Sequence, residues 1–304
     1  MSYFLGFDAG GTKTTCALGD DRRILIRAAG GSIKPLRVTQ EQAQKNMSAL
    51  LDDVATRSGV DLRSTAAACI GTAGIRLPQT DGWMRQIVGD RIGGPLLLCG
   101  DEEIALDAAF PGLAGVLAMA GTGSNVIGRA RDGRMLNVGG WGPALADQGS
   151  GHWIGLQALR ATFHAMDLGQ PALIFERVQA FWNAGTLEDV VNIANQIPPP
   201  DFSQLAGIVV ACAGEGDAVA IEVLERGGRL LGEDAVAALR RVRVLDPKVG
   251  AMGVAFTGSI LDKIERVRQS MIETIHEMEP GTMVVPKAVD PLEGALWRAR
   301  HGVE

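Results

Sequence analysis

Short apolar runs bounded by Gly or Asp open the chain, which is the pattern of successive β-strands. They predict three strands at about Tyr3–Asp8, Thr14–Gly19 and Arg23–Ala29. A helix is predicted at Gln40–Arg57, because apolar residues recur there at helical spacing. That apolar stripe comprises Ala43, Met47, Leu50, Leu51 and Val54. The pattern then predicts a strand at Ala66–Ile70, a helix at Gly82–Val88 and a strand at Pro95–Leu98.

The pattern of the first segment then returns. The stretch VLAMAGTGSNVIGRARDGRMLNVGG aligns with LGFDAGGTKTTCALGDDRRILIRAAGG at a constant offset, with Gly121 on Gly10 and Asp132 on Asp21. An internal repeat is architectural information. It predicts two related α/β domains, 1–110 and 111–304, with a ligand cleft between them.

The second copy departs from the first by a long helical insertion at about Trp153–Arg241, which Asn195–Asp201 interrupts. The repeat then resumes with a strand, a helix, a strand and a closing helix that could return to the first domain. These elements are predicted at Gly250–Thr257, Ile260–Ile275, Thr282–Val285 and Pro291–Arg300.

Composition narrows the class of protein. The 304 residues are 46% hydrophobic and 21% charged, with a formal net charge of −6. An acidic surface does not attract nucleic acid or anionic lipid, so we expect neither as a partner. Membrane-spanning helices need roughly 18 apolar residues in a row, and no run is that long.

The four cysteines all lie in apolar runs, and the four histidines are dispersed. We therefore expect reduced thiols, no structural zinc and a cytoplasmic protein.

The two glycine turns are candidate phosphate loops. DAGGTKT matches neither the Walker loop nor the dinucleotide fingerprint, and a strand follows its glycines in place of a helix. It therefore predicts a β-hairpin turn in which Gly10 and Gly11 can take positive φ and expose amide groups to an anion. Thr12, Lys13 and Thr14 add donors, although a plain turn with a solvated lysine remains open. The second copy, Gly121-Thr122-Gly123-Ser124-Asn125, favours phosphate binding by both loops.

Three carboxylates are further candidates for the ligand site. Asp8 ends the first strand, where Mg²⁺, bound directly or through water, would remove its repulsion from phosphate. Asp101 follows the strand PLLLC and Gly100, at the end where α/β active sites form. A helix N-cap for Glu102–Phe110 is its alternative role. Asp147 lies in a glycine-dense stretch and could instead cap a helix.

A third glycine turn, at Gly258 and Ser259, could bring backbone close to a base or a ribose. A tight strand-to-helix turn is the alternative.

Taken together, the motifs DAGGTKT, AGTGSN, GGWG…DQGSGHWIG and FTGSI resemble the N-acetylglucosamine kinase group. That group is classed with the activator ATPases of benzoyl-CoA reductase, in the sugar kinase, heat-shock protein and actin superfamily.

The resemblance covers nearly the whole chain and implies duplicated ribonuclease H-like (actin-like ATPase) domains. It also implies ATP and Mg²⁺ as cofactors, a small-molecule sugar as substrate and a homodimer. By position it implies that Asp101 is the catalytic base, that Asp8 lies near Mg²⁺ and that Gly258 and Ser259 bind adenosine. The implied phosphate ligands are Gly10, Gly11, Thr12, Lys13, Thr14, Gly121, Thr122, Gly123 and Ser124. The implied sugar ligands are Thr72, Ala73, Gly74, Asp101, Asp147, Gln148 and Ser150.

Two departures from the family pattern lie on the sugar side. Lys34 stands near the place of a sugar-binding Asn, and Gln148 replaces the Glu of the usual D-E-G-S. We predict phosphorylation of the 6-hydroxyl of an amino sugar, with N-acetylglucosamine first and glucosamine or another hexose as alternatives. An activator ATPase and a non-catalytic sugar sensor are the remaining readings.

Overall fold

The chain folds into two α/β units, each built on one five-stranded sheet. The computed structural model describes residues 2–35, 37–75, 77–171 and 173–302, with the side chain of Pro78 left out, so the predicted limits 1 and 304 lie outside the described residues. One unit comprises the residues up to Leu113 together with those from Val289 onward, and the other spans Ala114–Ala288.

The first unit begins with two consecutive hairpins and continues with parallel strands and helices. Its strands are β1 (Phe4–Ala9), β2 (Lys13–Gly19), β3 (Ile24–Gly31), β4 (Ala67–Gly71) and β5 (Leu96–Cys99), and its helices are α1 (Gln40–Ser58), α2 (Pro78–Val88) and α3 (Asp101–Ala109). The sheet order is β3-β2-β1-β4-β5, with β1, β4 and β5 parallel and the first two hairpins antiparallel. The five apolar residues of the predicted stripe on α1 are all buried.

The second unit repeats this plan and adds the helical insertion. Its strands are β6 (Gly115–Ala120), β7 (Ser124–Arg129), β8 (Met135–Gly139), β9 (Gly253–Thr257) and β10 (Met283–Val284). Their order, β10-β9-β6-β7-β8, is that of the first sheet. The helices are α4 (Gly151–Asp167), α5 (Leu173–Phe181), α6 (Leu187–Ala194), α7 (Ala206–Gly214), α8 (Ala218–Leu245), α9 (Ser259–Lys263) and α10 (Glu265–Met278). The prediction of a duplicated α/β fold with a helical insertion is therefore confirmed.

The closing helix, α11 (Pro291–His301), packs on the first sheet. Its residues Leu292, Leu296 and Ala299 join Phe4 and Ala17 in one buried cluster. At Gly6 a Cβ atom would lie 2.9 Å from the backbone nitrogen of Leu296, so α11 contacts β1 closely. This packing assigns the end of the chain to the first unit.

One predicted element and one alternative role are wrong. The predicted single helix Ile260–Ile275 is two helices, because Ile264 is extended (φ −104°, ψ 92°) between α9 and α10 and buries its side chain in the core. Asp101 is the first residue of α3, and the N-cap is Gly100.

Among the described residues no helix is both long and apolar enough to cross a membrane.

Candidate functional site

The first glycine turn connects β1 to β2 and presents most of its residues to solvent. The amide of Gly10 donates to the carbonyl of Lys13 at 3.0 Å, and the hydroxyl of Ser32 donates to the carbonyl of Gly10 at 2.9 Å. Gly11, Thr12 and Lys13 are exposed, whereas Thr14 is fully buried and its hydroxyl has no partner among the described residues. Three residues of the predicted loop are thus open to a ligand, and the hydroxyl of Thr14 is not.

Gly10 and Gly11 do not adopt the positive φ angles considered for them, and Gly121 and Gly123 of the second loop have no positive φ either. Close approach of neighbouring atoms accounts for two of these glycines instead, Gly10 and Gly123. A Cβ atom on Gly10 would lie 3.0 Å from the carbonyl oxygen of Lys13, and one on Gly123 would lie 2.8 Å from a carboxylate oxygen of Asp147.

Asp8 lies next to this turn in a crowded acidic environment. Burial, followed by the neighbouring carboxylates of Asp101 and Asp290, raises the pKa of Asp8 to about 6, although Lys13 and Lys34 act in the opposite direction. A cation at Asp8 would relieve this repulsion. Magnesium prefers oxygen ligands and usually takes only one or two carboxylates, with water and phosphate completing its shell. The residues therefore fit Mg²⁺ held with a nucleotide, and the described residues contain no cluster of three metal-ligating side chains that would form a closed site.

Asp101 begins α3 directly after the end of β5. One of its carboxylate oxygens accepts the amide of Glu102 at 3.2 Å, and the side chain is half-buried. Asp8 lies in the last two residues of β1, while Thr72 and Asp101 follow the ends of β4 and β5. Since the three strands are parallel, these residues lie at the same end of the sheet.

Thr72 holds these strand ends together. Its hydroxyl donates to the carbonyl of Ala9 at 3.2 Å, and its amide donates to the carbonyl of Cys99 at 3.0 Å. The side chain of Thr72 is buried, so it stabilises the strand ends and is not exposed to a ligand. Ala73 is half-buried and Gly74 is exposed, with φ +79°. The surface that this segment offers a ligand is therefore mainly backbone.

In the second unit, the predicted phosphate loop is bound to the start of α4. The carbonyls of Gly121 and Thr122 accept the amides of Gly151 and His152 at 2.8 and 3.2 Å. The hydroxyl of Ser124 donates to the carbonyl of Gln148 at 2.8 Å. The predicted phosphate loop and the predicted sugar segment are thus one connected structure.

Asp147 and Ser150 have different surroundings within that segment. Asp147 is buried beside Gly123 and adopts a positive φ of 63°. Ser150 is the N-cap of α4, and its hydroxyl accepts the amide of Trp153 at 3.1 Å. The capping role that the sequence left open for Asp147 therefore belongs to Ser150.

The third glycine turn lies against the second loop. Gly258 has φ +94°, and a Cβ atom on it would lie 2.3 Å from the carbonyl oxygen of Ala120. Ser259 is exposed, and its hydroxyl lies 3.9 Å from the position that a Cβ on Gly121 would take. The second unit therefore brings its three predicted ligand segments together.

A model of the BadF/BadG/BcrA/BcrD ATPase family matches residues 5–299. The chain belongs to this family. Its relatives include an N-acetylmuramic acid/N-acetylglucosamine kinase from Clostridium acetobutylicum, 25% identical over 309 residues and 99% of each chain. A glucosamine kinase from Vibrio cholerae is 23% identical over 297 residues, covering 97% of this chain and 95% of the relative.

A crystal structure of a candidate N-acetylglucosamine kinase from Chromobacterium violaceum also resembles this BadF/BadG/BcrA/BcrD family member. It is 26% identical, covers 97% of this chain and 98% of its own, and superposes with a TM-score of 0.70. The family resemblance predicted from the motifs is confirmed, and the match extends over both units.

Sequence reasoning missed two polar residues beside the candidate ligand segments. Asn125 closes the AGTGSN motif, and its amide oxygen is buried without a partner among the described residues. It lines an open pocket of about 330 Å³ with Gly123, Ser124 and Asp147. Glu102 adjoins Asp101, and its pKa is raised to about 7 by burial and by its hydrogen bond with Asp101. Only the motif position of Asn125 gave a signal in the sequence.

Proposed function

We propose that this protein is an ATP-dependent kinase that phosphorylates the 6-hydroxyl of an amino sugar, N-acetylglucosamine first among the acceptors. The observation that carries the proposal is the grouping of Asp8, Asp101 and the first glycine turn at one end of β1, β4 and β5. Relatives named as amino sugar kinases over nearly their full length support the choice of acceptor.

In the proposed reaction, Asp101 is the catalytic base. Its carboxylate accepts the proton of the sugar hydroxyl as that oxygen bonds to the γ-phosphorus and the bond to the ADP oxygen breaks. Most catalysis of phosphoryl transfer comes from positioning and electrostatics. A base at the first residue of α3 also lies at the positive end of the helix dipole, which favours a carboxylate there.

The proposed phosphate ligands are the exposed backbone and side chains of Gly10–Lys13 and of Gly121–Ser124. The proposed adenosine contacts are Gly258 and Ser259, and Asp8 would hold Mg²⁺ directly or through water. When bound, that ion supplies positive charge to the phosphate oxygens. Thr14 would act by shaping the first turn, since its hydroxyl is buried.

On the sugar side, the hydroxyls of Thr72 and Ser150 are already hydrogen-bonded within the protein. We therefore propose that the sugar is bound by the backbone of Ala73 and Gly74 and by the polar side chains of Asp147 and Gln148. Glucosamine is the second acceptor in our order, because one relative is named for it.

The test is an ADP-release assay over a panel of hexoses and amino sugars at fixed ATP and Mg²⁺. We expect the highest kcat/KM with N-acetylglucosamine or glucosamine, and at least a tenfold lower value with glucose. A neutral hexose as the best acceptor would contradict the amino sugar assignment. Absence of ADP release with every sugar would contradict the kinase assignment.

From the family resemblance we also propose a cytoplasmic homodimer. Light scattering on the purified protein tests the oligomeric state, since the chain mass of 32.0 kDa separates a monomer from a dimer clearly.

A further inference from the structure

A buried ionic group joins α3 to α11. The guanidinium of Arg298, only 7% exposed, pairs through Nε with the carboxylate of Asp107 and through Nη1 with Oε2 of Glu103 at 3.0 Å. The other oxygen of Asp107 accepts the amide of Gly112 at 3.0 Å. Charges removed from water in this way must be mutually paired to be tolerated. None of these residues is part of the proposed ligand contacts.

Glu103 connects this ionic group to the first turn of α3. Its Oε2 accepts from Arg298, while its Oε1 accepts the amide of Gly100 at 3.1 Å. Gly100 is the N-cap but has no side chain to close the turn. Glu103 supplies the returning half of a capping box, so the carboxylate and not the cap residue fixes the start of the helix.

Asp101 lies between Gly100 and Glu103 in this turn. Helix α3 is also fixed against α11 by backbone contact, since a Cβ atom on Gly294 would lie 1.8 Å from the carbonyl oxygen of Ile104. Arg298, Glu103 and the amide of Gly100 thus form a continuous chain of contacts from α11 to the residue that precedes Asp101.

We propose that Glu103, oriented by Arg298, is a positioning residue that holds the backbone of Asp101 in place for proton abstraction. The proposal rests on the function proposed above. Without Glu103 the Gly100 amide loses its side-chain partner, the first turn of α3 loosens and the carboxylate of Asp101 is no longer held at one distance from the acceptor. Misplacement by about 1 Å can cost about 100-fold in rate.

The test compares Glu103→Ala, Glu103→Gln and Asp107→Asn with the wild type. Glu103→Ala should lower kcat by roughly 10- to 100-fold with the KM for ATP within threefold of wild type. Glu103→Gln keeps an oxygen for the Gly100 amide and should recover at least half of that loss on a logarithmic scale. Asp107→Asn is the matched control, because it weakens the same ionic group but leaves the bond between Glu103 and Gly100; its kcat should stay within threefold.

Hydrogen exchange of the amides at the start of α3 gives a readout that does not depend on activity. It should accelerate in Glu103→Ala and not in Asp107→Asn. Equal losses of kcat in Glu103→Ala and Asp107→Asn would overturn the proposal, because Glu103 would then have a merely structural role. Unchanged exchange in Glu103→Ala would overturn it as well. A wild type without kinase activity would overturn the proposed function, whereas an active wild type with an unaffected Glu103→Ala variant would overturn this inference alone.

Discussion

Replacing Gly294 by Ala tests the packing of α11 on the first unit. Gly294 lies within α11, where Ala would ordinarily be favoured by about 1 kcal/mol over Gly. Here the new Cβ atom would lie 1.8 Å from the carbonyl oxygen of Ile104 and 2.7 Å from the amide nitrogen of Ala108. Both obstacles are backbone atoms of α3, so one helix must shift. Overpacking of this kind costs about 3 kcal/mol of folding stability at the upper end of its usual range. After the gain of about 1 kcal/mol from helix propensity, the free energy of unfolding should fall by about 2 kcal/mol.

The assay is urea unfolding followed by circular dichroism and by tryptophan fluorescence, to which Trp297 in the same helix contributes. With a slope of about 2 kcal/mol per molar urea, the midpoint of the first unit should fall by about 1 M. Gly82→Ala is the matched control, since Gly82 lies in α2 of the same unit and its Cβ would meet nothing within 4 Å. It should be neutral or more stable than wild type. A midpoint for Gly294→Ala equal to or above that of Gly82→Ala would refute the reasoning.

Three further variants test separate features of the site. Gly258→Ala forces a side chain into φ +94° and against the carbonyl of Ala120, so calorimetry should show at least tenfold weaker ADP binding; unchanged affinity would contradict its role. Asp8→Asn should raise the Mg²⁺ concentration for half-maximal rate at least tenfold, and an unchanged Mg²⁺ titration would remove Asp8 from the metal site. For Glu102, the folded-state pKa of about 7 lies above the ordinary 4.5, so wild-type thermal stability should fall as pH rises from about 4.5 to 7. Glu102→Gln should reduce that pH dependence. If its thermal stability varies with pH as that of the wild type does, the raised pKa of Glu102 is contradicted.

The repeat made the larger part of the fold predictable. The alignment of Gly121 on Gly10 implied two hairpins of the same kind, and the two sheets do share one strand order. Period-two and period-3.6 patterns located most elements within a few residues. The break at Ile264 escaped this reasoning, because an extended residue with a buried apolar side chain fits a helical pattern equally well.

Side-chain environments were less predictable, since they depend on contacts between distant segments. Asp290 contributes to the raised pKa of Asp8 only because the residues after Val289 return to the first unit. Likewise, the sequence could not show that Thr14 is enclosed, or that Gly123 is required by the neighbouring Asp147 and not by its own φ angle. The motifs therefore identified which segments matter but not which atoms they expose.

The central claim is that Asp101 abstracts the proton of a sugar hydroxyl during phosphate transfer from ATP. The most direct measurement is single-turnover transfer to N-acetylglucosamine, followed by phosphorus NMR of the product, for wild type and Asp101→Asn. We expect the wild type to form the 6-phosphate, and Asp101→Asn to lose most of the turnover while its affinity for ATP stays within threefold. Near wild-type transfer by Asp101→Asn would contradict the account.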